Sequence, residues 1–143
     1  MIDVRVATWA DIETVLANLS DQNTAEYEAV GLHGDDLRAK MCRFMLQGET
    51  ECAWFDGAPQ SVFCVVQTPV FGAVTWFLAT KAYFAAGPRA VIAGRKQIRA
   101  ARQRHGPITS FVTSAHPDVD RWLRVLGFVL SEPVDDTPRY IFR

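Results

Sequence analysis

At the start of the chain Ile2, Val4 and Val6 alternate with Asp3 and Arg5, the period-two pattern of a half-buried strand. Thr8 or Asp11 then caps a helix that turns Ile12, Val15, Leu16 and Leu19 inward. The stretch "DQNTAEYEAVGLHGDD" is polar and broken by glycine, which predicts a loop with a helical turn. "DLRAKMCRFMLQG" sets Leu37, Met41, Phe44 and Met45 along one helical face and stops at Gly48. Two strand-like runs in "ECAWFDGAPQSVFCVVQ" flank Asp56-Gly57-Ala58-Pro59, a hairpin turn. "VFGAVTWFLAT", from Val70 to Thr80, is rich in β-branched and aromatic residues and completes three consecutive antiparallel strands.

Gly87-Pro88 opens the next helix, because a first-turn proline lacks an N–H that would have no intrahelical partner there. Val91, Gly94, Ile98 and Ala101 fall on its inner side beside a stripe of Arg95, Arg99 and Arg102, and His105-Gly106-Pro107 ends it. "ITSFVTS" predicts a strand. Pro117-Asp118 begins a last helix with Val119, Trp122, Leu123 and Val125 or Leu126 inward, closed by Gly127. Phe128–Leu130 and Tyr140–Phe142 predict two final strands joined by "SEPVDDTPR". No repeat, low-complexity tract or linker interrupts this series, so residues 1–143 are expected to form a single domain.

Composition agrees: 143 residues, 49% of them hydrophobic, can bury one sizeable core. The formal net charge of -1 gives the whole molecule no long-range pull on polyanions. The charges are segregated, however. No Asp or Glu occurs between Asp56 and Asp118, where Lys81, Arg89, Arg95, Lys96, Arg99, Arg102 and Arg104 lie. Such a basic helix is a solvated face, an anion site or a nucleic-acid surface. No aromatic residue stands between Val91 and His105, so it lacks the stacking platform of single-strand binders, and nucleic acid is the least favoured of the three. Cys42, Cys52 and Cys64 are odd in number and too far apart for a zinc knuckle. They read as reduced packing residues in a cytoplasmic protein, and no metal site is expected. No apolar run approaches membrane-spanning length and the start does not resemble a signal peptide, so neither membrane insertion nor secretion is expected.

The element order resembles that of the GCN5-related N-acetyltransferases (GNAT), an α/β fold with a central, mostly antiparallel mixed sheet flanked by helices. "HPDVDRWLRVLGFVLSE" is similar to the family's fourth helix and following strand, ending in Leu-Gly-Phe, and "VRVATWADIETVLANL" to its usual start. The longer pattern from Thr75 to Phe128 also resembles small GNAT-like proteins of short-tailed bacteriophages, some counted as internal virion proteins. The resemblance implies an N-acetyltransferase whose splayed fourth and fifth strands admit acetyl-CoA. It also implies that backbone N–H groups at a helix start hold the pyrophosphate, where unpaired amides and the helix dipole attract an anion.

In the register "RAVIAG", the implied cofactor-binding residues are Arg89, Ala90, Val91 and Gly94, with Arg95 nearby, and Ile92 stands where the pattern's first glycine belongs. The family's acidic Tyr is replaced by Leu123, and the strand from Val70 offers no Glu as base. That leaves His116, able to titrate near neutral pH, and Tyr140 as proton-transfer candidates, with Tyr83 and Ser114 as alternative acids. Two functions follow from the resemblance. One is acetyl transfer from acetyl-CoA to a small-molecule or protein amine. The other is a non-catalytic phage protein partnered by phage structural proteins, in the host cytoplasm or the virion. An enzyme should keep the wedge open, whereas a structural protein may fill it with Ile92, Phe84 or Trp122.

Overall fold

The computed structural model describes residues 2–113 and 116–143. Strand β1 (Asp3–Val6) leads into α1 (Trp9–Ala17), whose entry is fixed by a capping box: the Asp11 N–H donates to Thr8 Oγ1 and the Thr8 N–H to the Asp11 carboxylate. Helices α2 (Asp21–Ala29) and α3 (Gly34–Gln47) precede the meander β2 (Glu49–Phe55), β3 (Ala58–Thr68) and β4 (Gly72–Ala79). The short α4 (Lys81–Ala85) and long α5 (Pro88–His105) lead to β5 (Ile108–Phe111), and α6 (Pro117–Leu126) to the hairpin β6 (Val129–Val134) and β7 (Thr137–Phe142).

The strands form one sheet in the order β1-β2-β3-β4-β5-β7-β6, antiparallel except for β4 against β5. The central strand β3 is buried on both faces. On one face Ile12, Val15, Leu37 and Met41 from α1 and α3 pack on Cys52, Val62 and Leu78. On the other, Ile98 and Ala101 of α5 and Val119, Leu123 and Leu126 of α6 pack on Phe63, Val65 and Ala73. Gly94 lets α5 and α6 approach closely, since a Cβ there would lie 2.6 Å from Leu126 Cδ2. The β2–β3 hairpin turns on Asp56 and Gly57, both at positive φ as the two-residue connection requires. Asp135 and Asp136 do the same between β6 and β7.

The structure departs from the sequence pattern in a few places. The expected loop after residue 20 is helix α2, and α4 is an additional helix. Cys42 is exposed rather than packed, whereas Cys52 and Cys64 are buried; all three are free thiols. Burial pushes the Cys52 thiol up to about 12 and raises that of Cys64, which keeps both protonated and unreactive. The inner face of α5 is rotated from the expected one: Ala90, Ala93, Gly94, Gln97, Ile98 and Ala101 are buried and Val91 is not. No helix among the described residues is long and apolar enough to cross a membrane.

Candidate functional site

Strands β4 and β5 pair only through Ala73 with Ile108 and Val74 with Thr109. Beyond these they part, leaving a wedge walled by Thr75 and Phe77 of β4, Ser110 and Val112, Gln97 of α5 and Trp122 of α6. The open edge of β4 is held by α2. The Asn23 side-chain amide donates to Phe77 O at 2.9 Å and accepts from the Ala79 N–H at 2.8 Å, and Tyr27 Oη donates to Phe77 O at 3.3 Å. The Ser20 N–H completes the set by donating to Ala79 O. A strand edge that would otherwise invite another strand is thus closed at its far end and left open near the splay point.

The wedge has a cavity volume of about 60 Å³, room for on the order of four waters. Its lining is mainly apolar, and three of its polar groups stand out. Gln97, with 1% of its surface exposed, has neither side-chain amide atom paired with another described residue, and the Trp122 indole N–H is likewise unpaired. The third group is Glu26 on α2, whose carboxyl is pushed up to about 7 by burial. Glu26 also borders a second cavity of about 330 Å³ on the α2 and α3 side, walled by Tyr27, Lys40, Phe44, Trp76 and Thr113. The two cavities share Glu26, Thr75, Trp76 and Phe111, so a carboxyl half-ionised near neutral pH stands where they meet through the split sheet. A carboxyl with that proton affinity can take up and release a proton near neutral pH.

The residues singled out from sequence are placed differently. Ala90, Val91 and Gly94 lie within α5, and the N–H groups of Ala90 and Val91 donate to Gly87 O. Gly87 is the N-cap, its own N–H donates to Phe84 O, and Pro88 has no N–H. Of the amides from Arg89 to Gly94 that the sequence offers to an anion, those of Ala90 and Val91 are thus engaged within the helix. The Arg89 guanidinium makes a bidentate pair with Asp56, both contacts at 2.7 Å, which holds the Asp56 carboxyl below its usual range. Arg95 donates twice to Val125 O, at 3.0 and 2.8 Å, where the orphan carbonyls at the end of α6 need donors.

His116 is the N-cap of α6, its Nδ1 accepting from the Asp118 N–H at 3.2 Å. Tyr140 is buried on β7 and donates a short hydrogen bond to Asp120, with burial and that carboxylate pushing its hydroxyl up to about 12. Neither His116 nor Tyr140 lines the wedge. Tyr83 is fully buried and donates to Ala90 O at 2.9 Å, a packing role, and Ser114 lies outside the described residues. Ile92 is exposed, whereas Phe84 and Trp122 do border the wedge, their rings 5.1 Å apart edge to face.

Solved structures share this architecture across nearly the whole chain. The GNAT domain of PAT from S. lividans superposes with a TM-score of 0.72 over 97% of this chain and 88% of that one, at 17% identity. An acetyltransferase from Agrobacterium tumefaciens gives 0.73 over 99% and 90%, at 15% identity. A GNAT phosphinothricin acetyltransferase from Sinorhizobium meliloti, in complex with acetyl-CoA, gives 0.68 over 99% and 87%, at 15% identity. The fold is that of the GNAT acetyltransferases. No protein-family model matches the sequence, and no curated protein matches it.

Within this GNAT fold the basic helix is mostly engaged or solvated. Arg104 pairs with Glu49 at 2.9 Å and Glu51 at 3.3 Å, and His105 Nε2 lies 2.8 Å from Glu49. The hydrogen bond with His105, and then Arg104, hold the Glu49 carboxyl below its usual range. Lys96 and Arg99 point to solvent. No cluster that could hold a metal ion occurs among the described residues. Sequence reasoning missed Glu26 and Gln97 because each sits on a helix whose polar pattern reads as surface. A carboxylate six residues beyond a serine N-cap was the available signal, but the segment reads as a loop.

Proposed function

We propose that this chain transfers an acetyl group from acetyl-CoA to a primary amine, with Glu26 as the general base. The observation that carries the proposal is a carboxyl, pushed up to about 7, at the junction of two cavities on opposite sides of the split between β4 and β5. The donor occupies the wedge, where Gln97 and Trp122 supply polar contacts in an apolar wall. The amine enters from the α2 and α3 side between Tyr27, Phe44 and Trp76. Its nitrogen bonds to the acetyl carbonyl carbon as the C–S bond breaks, and the thiolate leaves with the electron pair. Of the two protons that the ammonium sheds, one goes to Glu26 and then to solvent, and the other to the thiolate. His116 and Tyr140 have no part in this scheme, since they stand away from the wedge wall.

Removal of a general base typically costs about 10²–10⁴-fold in rate. Glu26→Gln should therefore lower kcat/KM at pH 8 by at least 100-fold, in an assay of thiol release with a panel of amines. The wild-type rate should rise with pH through about 7, because only the ionised carboxylate accepts a proton. A flat profile, or a Glu26→Gln variant of unchanged rate, would remove Glu26 from the chemistry.

One observation favours the non-catalytic, phage-type reading. Phe84 and Trp122 meet across the wedge, and the start of α5 has committed the amides of Gly87, Ala90 and Val91. A calorimetric titration separates the two readings, since saturable thioester binding belongs to the enzyme and its absence at near-millimolar ligand to the scaffold.

A further inference from the structure

We propose that the acceptor is a small amine carrying a carboxylate on an apolar body, and that Lys40 is the residue that selects it. The proposal rests on the transferase reading above and names the class of molecule that fits the second cavity, on the α2 and α3 side of the sheet.

The walls of that cavity set the size and character of the body. At about 330 Å³ it lies at the lower end of small-molecule pockets, which run from roughly 300 to 1,000 Å³. Trp76 forms an aromatic wall with Tyr27 and Phe44, their rings edge to face with centroids 5.1 and 4.5 Å from its own. Val66, Val74 and Phe111 extend the apolar lining. Such a wall takes an aromatic or branched aliphatic body, because binding then removes apolar surface from water.

The polar groups of the lining decide what the body must carry. Its hydroxyls are already committed: Tyr27 Oη donates to Phe77 O, Thr75 Oγ1 to Cys64 O, Thr68 Oγ1 to Gly72 O and Thr113 Oγ1 to Glu26 O. Two charged side chains remain, Glu26 and Lys40, neither of which has a hydrogen bond or ion pair from its charged end to a described residue. The Lys40 ammonium lies over the ring of Trp76, 5.1 Å from its centroid, and 5.9 Å from that of Phe44, so its head stands at the cavity wall. Arg38 of the same helix instead pairs with Glu13 and Asp35, both outside this cavity. A half-buried ammonium against aromatic rings attracts an anion more strongly than a fully solvated one does. The cavity thus offers a carboxyl on α2, where the sheet splits, and a cation on α3. Its complement is a molecule with an ammonium for Glu26 and a carboxylate for Lys40. A ligand with a second cation meets repulsion from Lys40, and one with no anion leaves Lys40 unpaired.

The test uses two matched pairs of amines: L-phenylalanine with phenethylamine, and para-(aminomethyl)benzoate with benzylamine. Each pair differs by the carboxylate alone, and the pairs place it at different distances from the nitrogen. Calorimetric titration of the full chain measures binding, and thiol release from acetyl-CoA measures turnover. Both are repeated on Lys40→Met and Lys40→Arg. In at least one pair the acid should bind at least tenfold tighter than its parent amine, with kcat/KM higher by a similar factor. Lys40→Met should bring that pair within about threefold, whereas Lys40→Arg, which keeps the charge, should retain the preference. Glycine, with both charges and no apolar body, should bind at least tenfold more weakly than the preferred acid.

If neither acid surpassed its parent amine while any of the four was acetylated, the proposal would fall and the transferase reading would stand. A preference that survived Lys40→Met would overturn the role of Lys40. Binding that depended on both the carboxylate and Lys40, with no thiol release, would uphold the recognition and remove the transferase reading. Neither binding nor turnover of any amine at near-millimolar concentration would remove both.

Discussion

Replacing Glu26 by Gln should stabilise the fold, and by an amount that grows with pH. In the folded chain burial pushes this carboxyl from its usual 4.5 to about 7, while in the unfolded chain it returns to the usual value. Between those values the native state holds a proton that the unfolded state has released, so stability falls as pH rises. The full penalty is reached above about pH 7. A shift of that size corresponds to about 3 kcal/mol at pH 8, about 1 kcal/mol at pH 5, and almost nothing at pH 4. Gln resembles the protonated carboxyl in shape and cannot ionise, so Glu26→Gln removes the penalty. Urea denaturation of both proteins at pH 4, 5 and 8 measures the difference directly, and groups distant from Glu26 cancel in the subtraction. For a chain of this size the pH 8 increment also corresponds to a rise in Tm of about 10 °C. An equal increment at all three pH values, or a less stable variant at pH 8, would show that Glu26 is not held in a desolvated site. Its candidacy as the base would fail with it.

Other substitutions test the surroundings of the wedge. Asn23→Ala removes the side chain that pairs with Phe77 O and the Ala79 N–H, and should cost about 1–3 kcal/mol in urea denaturation, as the Ala79 N–H loses its partner and Phe77 O keeps only the bond from Tyr27 Oη. A loss below about 1 kcal/mol would mean that water replaces Asn23 freely and that the edge of β4 is not sealed by α2. Gly48→Ala places a Cβ against the Val65 carbonyl oxygen, a backbone atom that cannot rotate away, and should cost about 1–3 kcal/mol by thermal melt. A neutral result would show that β3 shifts easily at the end of α3.

The fold was legible in the sequence where local chemistry is strong. The alternation in β1, the Thr8 cap, Asp56-Gly57, Gly87-Pro88 and Gly127 each act within a few residues, and the structure places an element boundary at or next to each of the last four. The site is less legible because its decisive features are differences between neighbours that are distant in sequence. Nothing local in "DQNTAEYEA" marks Glu26 as desolvated: the helix has no apolar stripe, and what buries it is the edge of β4, some fifty residues later. Gln97 is likewise one polar residue on a helix with many, and only the splay between β4 and β5 turns it toward a cavity.

The register "RAVIAG" meets a related limit. It matches residue types, but an anion site consists of unpaired amides, and whether an amide is unpaired depends on where the helix starts. Pro88 sets that start six residues before Gly94, and Gly94 allows the close approach of α6. The wedge is thus the part of this fold where a carboxyl raised toward neutral pH and an unpaired buried amide share one cavity.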